Sequence, residues 1–153
     1  MRRIGIFLIL CVIATGFCFG QLPHTFTQYT SEDGLSQNTI MSILQDDKGV
    51  MWFATWDGLY KFDGYTFNNY KAHPGDSIGL SNNRLDNIKE DRYGYIWVQS
   101  YNHQVYRFNP RLERFQAIPY DNYLSLDMYV LPCGDVWIIT VQNELIHIST
   151  HPE

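Results

Sequence analysis

Ile43-Leu44-Gln45-Asp46-Asp47-Lys48-Gly49-Val50-Met51-Trp52 returns as Ile88-Lys89-Glu90-Asp91-Arg92-Tyr93-Gly94-Tyr95-Ile96-Trp97, with Ile, Asp, Gly and Trp each displaced by 45 residues. A shorter echo, Gly134-Asp135-Val136-Trp137, lies 40 residues after the second copy. The likeness runs on past each tryptophan. Phe53-Ala54-Thr55-Trp56-Asp57-Gly58-Leu59-Tyr60-Lys61-Phe62-Asp63 parallels Val98-Gln99-Ser100-Tyr101-Asn102-His103-Gln104-Val105-Tyr106-Arg107-Phe108-Asn109, and the third copy follows with Ile138-Ile139-Thr140 and Leu145-Ile146-His147-Ile148. Between copies a short element recurs as Phe26-x-x-Tyr29, Phe67-x-x-Tyr70 and Phe115-x-x-Ile118. Self-similarity at such a period marks a stacked repeat architecture.

Each repeat reads as four short strands. In the first, Ile40 to Gln45 is a strand, and Asp46-Asp47-Lys48-Gly49 is a tight turn in which Asp bonds its own downstream backbone and Gly takes positive φ. Val50 to Thr55, rich in bulky and aromatic residues, is the second strand. Asp57-Gly58 signals a hairpin, Leu59 to Asp63 is the third strand, Gly64 turns the chain, and Tyr65 to Tyr70 is the fourth. No body segment keeps a 3.6-residue apolar spacing long enough for a helix. The second strand is apolar on both alternations, Val50, Trp52 and Ala54 on one face and Met51 and Phe53 on the other. Such a sheet has to lie between two similar sheets. The expected fold is therefore all-β, a partial β-propeller of two to three four-stranded antiparallel blades over about residues 35–70, 80–118 and 124–148, with Trp52, Trp97 and Trp137 at equivalent blade-to-blade positions. The third copy is degenerate, since Leu131 stands where the turn aspartate would be and Pro132 follows it.

Composition narrows the class. Of 153 residues, 45% are hydrophobic, 16% aromatic and only 18% charged, which excludes disorder. A net charge of −5 disfavours nucleic acid as a partner. Met1-Arg2-Arg3, then the uncharged stretch Ile4 to Phe19 and small residues at Cys18-Phe19-Gly20, reads as a secretory signal cleaved after Gly20, with residues 21–153 as the exported propeller segment. An uncleaved N-terminal anchor and a lipoprotein joined at Cys18 are the competing readings; with the signal cleaved, the chain is expected to meet a membrane only through a full-length context. Cleavage would remove Cys11, Cys18, Arg2 and Arg3. That leaves Cys133 without an intrachain partner and nine basic against sixteen acidic residues, a charge of −7.

The pattern formed by Asn38, Ile40, Ile43, Asp46, Gly49, Trp52, Thr55, Asp57, Gly58, Leu59, Phe62 and Asp63 resembles the two-component regulator propeller repeat family, and so does the entry segment Phe26 to Ser36. In that family the repeats build the periplasmic sensor of bacterial hybrid two-component histidine kinases. The resemblance implies a periplasmic module that senses carbohydrate-derived ligands and signals to a kinase carried elsewhere, with no catalysis and no cofactor of its own. Family members run through many more blades. The chain is thus expected to be a truncated product, or else to assemble with the remaining blades or other chains of the same sensor. The alternatives are part of a secreted propeller enzyme, such as a polysaccharide lyase or hydrolase, for which His103 and Arg107 are the near candidates, and a non-functional gene fragment.

Individual residues separate into structure and function. Asp46, Gly49, Trp52, Asp57, Gly58, Asp91, Gly94, Trp97, Gly134 and Trp137 are repeat positions. The aspartates recur once per blade at turns, which explains Asp46, Asp47, Asp57, Asp63 and Asp91 as turn formers rather than paired catalytic carboxylates or Ca²⁺ ligands. His24, His73, His103, His147 and His151 show no zinc-ligand spacing, and no serine elbow supports a hydrolase. Trp56, Tyr60, Tyr101 and Tyr106 lie at or beside turns, where aromatic rings could stack on an oligosaccharide; Trp56 and Tyr101 are the candidate ligand-binding residues. The turn-rich loop Ala72 to Gly79 is expected to connect blades and line the propeller mouth.

Overall fold

The computed structural model describes residues 25–37, 39–72, 79–119 and 124–149. The expected export signal, Cys11, Cys18, His24, Asn38, His73, His151 and most of the loop after Ala72 lie outside the described residues. Three antiparallel sheets follow one another along the chain. The first comprises β1 (Ile40–Gln45), β2 (Met51–Thr55), β3 (Gly58–Phe62) and β4 (Phe67–Tyr70). The second comprises β5 (Leu85–Glu90), β6 (Ile96–Ser100), β7 (Val105–Asn109) and β8 (Arg114–Ala117). The third holds β9 (Ser125–Val130), β10 (Val136–Thr140) and β11 (Leu145–Ile148). Each sheet is a simple meander, and β1, β5 and β9 line one side of the arc as the first strand of each blade. The third blade has three strands among the described residues, where the repeat predicts four.

Burial follows position in the arc. The middle strand of the second blade, Ile96–Ser100, is buried at every residue because sheets lie against both its faces. The matching strands of the first and third blades alternate between covered and less covered residues. Two cores result. Trp52, Ala54 and Leu59 of blade one pack with Ile88, Ile96, Val98, Tyr106 and Phe108 of blade two. Trp97 and Val105 of blade two pack with Met128, Val136 and Ile138 of blade three. Burying one such large side chain contributes about 1.5–3 kcal/mol, so the two seams between blades are what holds the arc together.

One device secures each seam tryptophan. Asp46 Oδ1 accepts the N–H groups of Lys48 and Val50, closing the β1–β2 turn, while its Oδ2 accepts the Trp52 indole N–H at 2.9 Å. Asp91 does the same for Tyr93, Tyr95 and the Trp97 indole, the last at 2.8 Å. The turn backbone itself persists in blade three without an aspartate, through Leu131 N–H to Asp135 O and Gly134 N–H to Leu131 O. Trp137 holds the same place in β10 as Trp52 in β2 and Trp97 in β6, with no further blade beyond it among the described residues. Its ring stacks on His147 at 4.4 Å instead, and His147 Nε2 lies 3.1 Å from Asp135 Oδ2.

Residues 25–37 lie on the outer face of blade one. A 3-10 turn at Ser31–Asp33 is capped by Thr30 and ends at Gly34, and Leu35 is buried. Tyr29 packs edge-on against Phe62 and Phe67.

Candidate functional site

The second-to-third-strand turns of successive blades stand side by side on one rim. In blade one, Thr55 Oγ1 accepts the Asp57 N–H and donates to Gly58 O, which sets the turn carrying Trp56. Gly58 sits at φ +107°, and its N–H crosses the seam to Asn83 O at 2.8 Å. Blade two makes the same turn one residue longer, with His103 in the left-handed region at φ +64°; blade three repeats this longer form with Asn143 at +62°. Each turn bonds back to the start of its own first strand, Trp56 N–H to Thr39 O, Tyr101 N–H to Arg84 O and Val141 N–H to Leu124 O. The rim therefore presents one residue per blade at the same address: Trp56, Tyr101, Val141.

Arg84 fills the space between the first two. Its guanidinium carbon lies 4.3 Å from the Trp56 ring centroid and 4.0 Å from that of Tyr101, a cation held between two rings. Arg84 Nε is buried without a hydrogen-bond partner. Trp56 and Tyr101 remain 41% and 54% exposed. The two aromatic candidates read from sequence thus share one site. Arg84, which completes it, was not singled out there, although its place immediately before β5 at the mouth of the same rim was the available signal.

A polar network underlies Trp56. Asp57 Oδ2 accepts from Lys71 Nζ at 2.8 Å and Ser36 Oγ at 3.2 Å, and Tyr60 OH bonds Ser36 and Asn69. The hydrogen bond to Asp57 holds the Lys71 ammonium above its usual pKa. Asn83 spans the seam by pairing both its amide groups with the Ala72 backbone. Tyr60 and Tyr106, expected near turns, are instead buried in the sheets.

The opposite end of the blades holds a cavity of about 890 Å³, lined by Lys48, Arg92, Arg107 and Arg111 against Asp47 and Glu90. Arg107 stacks on Tyr95 at 4.2 Å. Burial pushes the Glu90 carboxyl up, countered by the Asp47 N–H that it accepts. His103, whose Nδ1 lies 2.9 Å from Ser125 O, belongs to the other rim, so His103 and Arg107 do not meet as an enzyme site would require. Among the described residues no group of His, Cys, Asp and Glu is placed to hold a metal ion. Cys133 is a free, half-buried thiol.

Residues 34–57, spanning Gly34 through Asp57 and the whole Asp46–Trp52 device, match the family model for the two component regulator propeller. Over those residues the chain is similar to the two component regulator propeller repeat. The chain is 40% identical over 83 residues to histidine kinase P4 of Formosa agariphila, covering 53% of this chain and 6% of that protein. Its fold matches the extracellular domain of the hybrid two component system BT3049 of B. thetaiotaomicron, with a TM-score of 0.64 and 24% identity over 82% of this chain and 20% of that one. The extracellular domain of BT4673 from the same organism matches with a TM-score of 0.56 and 25% identity over 77% of this chain and 18% of the other. The chain thus spans a small part of the length of the proteins it resembles.

Proposed function

We propose that this chain is part of the extracytoplasmic sensor propeller of a hybrid two-component histidine kinase, exported to the periplasm, and that it recognises a carbohydrate-derived ligand without transforming it. The repeat match, the likeness to a histidine kinase and the extracellular setting of the similar structures support the signalling role and the location. The observation that carries ligand recognition is the Trp56–Arg84–Tyr101 stack on the rim. Aromatic faces suit the C–H faces of sugar rings, and the guanidinium between them supplies donors to hydroxyl or carboxylate oxygens. Ligand pockets pair apolar walls with a few convergent polar groups in this way.

The test is titration of the chain with a panel of neutral and uronate-bearing oligosaccharides, followed by calorimetry and tryptophan fluorescence. At least one class should bind, and Trp56→Ala with Tyr101→Ala should weaken it by about tenfold or more, equivalent to about 1.4 kcal/mol. Binding that survives both substitutions, or no binding by any saccharide, would refute the assignment.

A further inference from the structure

The cavity at the end of the blades opposite the rim gathers charge of the sign the chain lacks. The sequence carries 11 basic against 16 acidic residues. Four of the cations, Lys48, Arg92, Arg107 and Arg111, nevertheless line this one cavity, beside two carboxylates, Asp47 and Glu90. The lining therefore has a surplus of two positive charges. Among the described residues the ion pairs are Lys71–Asp57 and His147–Asp135, so none of the four cations is matched to a carboxylate. Glu90 is already committed, since it accepts the Asp47 N–H at 2.9 Å and ties the turns of blades one and two together. Burial, and then the like charges of Asp47, Asp46 and Asp91, push its carboxyl up.

The repeat does not demand these cations. The β1–β2 and β5–β6 turns need the acceptor Asp46 or Asp91 and a glycine, and at the position after the acceptor blade one has Asp47 where blade two has Arg92. The turn after the third strand differs as well. Residues 63–66 lie between the facing pair Phe62 and Phe67, whereas the longer run 109–114 lies between Phe108 and Phe115. Asn109 Oδ1 accepts the N–H groups of Arg111 and Leu112, which shapes this longer turn at the cavity wall. Arg107, half-buried on β7, has its guanidinium carbon 4.2 Å from the Tyr95 ring centroid. Such a contact uses the face of a guanidinium and leaves its N–H edge for an oxyanion.

We infer that this cavity is a second binding site, which takes a small organic phosphate monoester, with Arg92, Arg107 and Arg111 serving the phosphate and Tyr93 and Leu112 the organic part. A phosphate monoester carries about −1.5 to −2 charges near pH 7, which answers the surplus of two, whereas a carboxylate or a sulfate ester brings only about one. Arginine forks bond two oxygens of such a group at once. Tyr93 and Leu112, both exposed, offer apolar surface at the same wall. At about 890 Å³ the space exceeds what an inorganic ion fills and lies within the roughly 300–1,000 Å³ of small-molecule sites. Every residue in this argument stands on blades one and two, which the Trp52 core joins, so no open sheet edge enters it. The site is separate from the rim stack and does not depend on the carbohydrate reading.

The test is calorimetric titration of the purified full chain, at low salt, with phenyl phosphate, phenyl sulfate and inorganic phosphate. Phenyl phosphate should bind saturably with a Kd below about 1 mM, and the other two about tenfold or more weakly. Arg111→Gln, on an exposed turn, should weaken phenyl phosphate about tenfold while leaving the circular dichroism unchanged. Arg107→Lys, which keeps the charge and loses the fork, should weaken it severalfold. Trp56→Ala, which the carbohydrate reading needs, should leave phenyl phosphate binding unaltered. No saturable binding of phenyl phosphate, equal binding of phenyl sulfate or inorganic phosphate, binding that survives both arginine substitutions, or loss on Trp56→Ala would each overturn the proposal. So would capture of the chain by phosphatidylcholine vesicles containing phosphatidic acid when phenyl phosphate does not bind, since the phosphate recognised would then be a lipid headgroup.

Discussion

Replacing Asp91 with alanine withdraws one acceptor from three donors at once. Asp91 is 2% exposed and takes the N–H groups of Tyr93 and Tyr95 at 2.9 and 3.1 Å and the Trp97 indole N–H at 2.8 Å. The losses differ in kind. Blade three keeps the same turn with Leu131 in the aspartate's place, so the two backbone N–H groups have a tolerable alternative and the turn should survive. The indole of Trp97, 1% exposed between blades two and three, has none, and an orphaned buried donor costs about 1–3 kcal/mol. Adding about 1 kcal/mol for the lost charge-assisted turn bonds puts Asp91→Ala at about 3 kcal/mol of destabilisation. Urea unfolding followed by circular dichroism, at one protein concentration throughout, measures it. The decisive comparison is a double-mutant cycle with Trp97→Phe, which removes the orphaned donor. In that background Asp91→Ala should cost about 1 kcal/mol, a coupling of about 2 kcal/mol. Strict additivity, or a cost for Asp91→Ala below about 1 kcal/mol, would show that the aspartate serves the turn alone and that the indole bond holds nothing.

Gly58→Ala and Gly64→Ala separate backbone strain from crowding: both glycines have φ near +100°, yet a Cβ at Gly58 would come within 2.6 Å of Tyr70 O while one at Gly64 meets nothing within 4 Å. Chemical unfolding should show about 1–2 kcal/mol lost at Gly64 and well above 3 at Gly58. Burial, with the hydrogen bond to Glu113, raises the Tyr70 phenol well above its ordinary pKa of 10.0. The folded state therefore favours the protonated phenol, whose contribution is whole below pH about 10 and drains away as pH climbs toward the folded value. Tyr70→Phe should accordingly flatten the alkaline fall of the melting temperature. The Lys71–Asp57 pair, whose side chains are 29% and 31% exposed, should contribute no more than about 1 kcal/mol, so Lys71→Met should shift the urea midpoint slightly and by less still in high salt.

Much of this architecture was open to a reader of the sequence. The 45-residue offset located the turns, and residue chemistry placed β1 at the bounds the structure shows, Ile40–Gln45. It also marked Asp46 and Asp91 as turn formers, though not as acceptors for the tryptophan six residues on. That bond requires the strand after the turn to fold the indole back over the carboxylate, which spacing alone does not reveal. Trp56 and Tyr101 were legible as turn aromatics, but their meeting around Arg84 was not, since it depends on the angle at which two sheets stack. Among the described residues Trp137 meets the ring of His147, a cross-strand contact that the repeat spacing did not announce.

The separation between the Asp–Trp anchors and the rim turns has an evolutionary corollary. The anchors that hold the seam tryptophans of blades one and two lie remote from the turn tips, and those tips already differ, tryptophan in one blade, tyrosine in the next, valine in the third. Drift at the tips leaves the scaffold's code untouched, so a lineage built from this module could exchange chemical vocabulary one blade at a time without ever relearning how to fold.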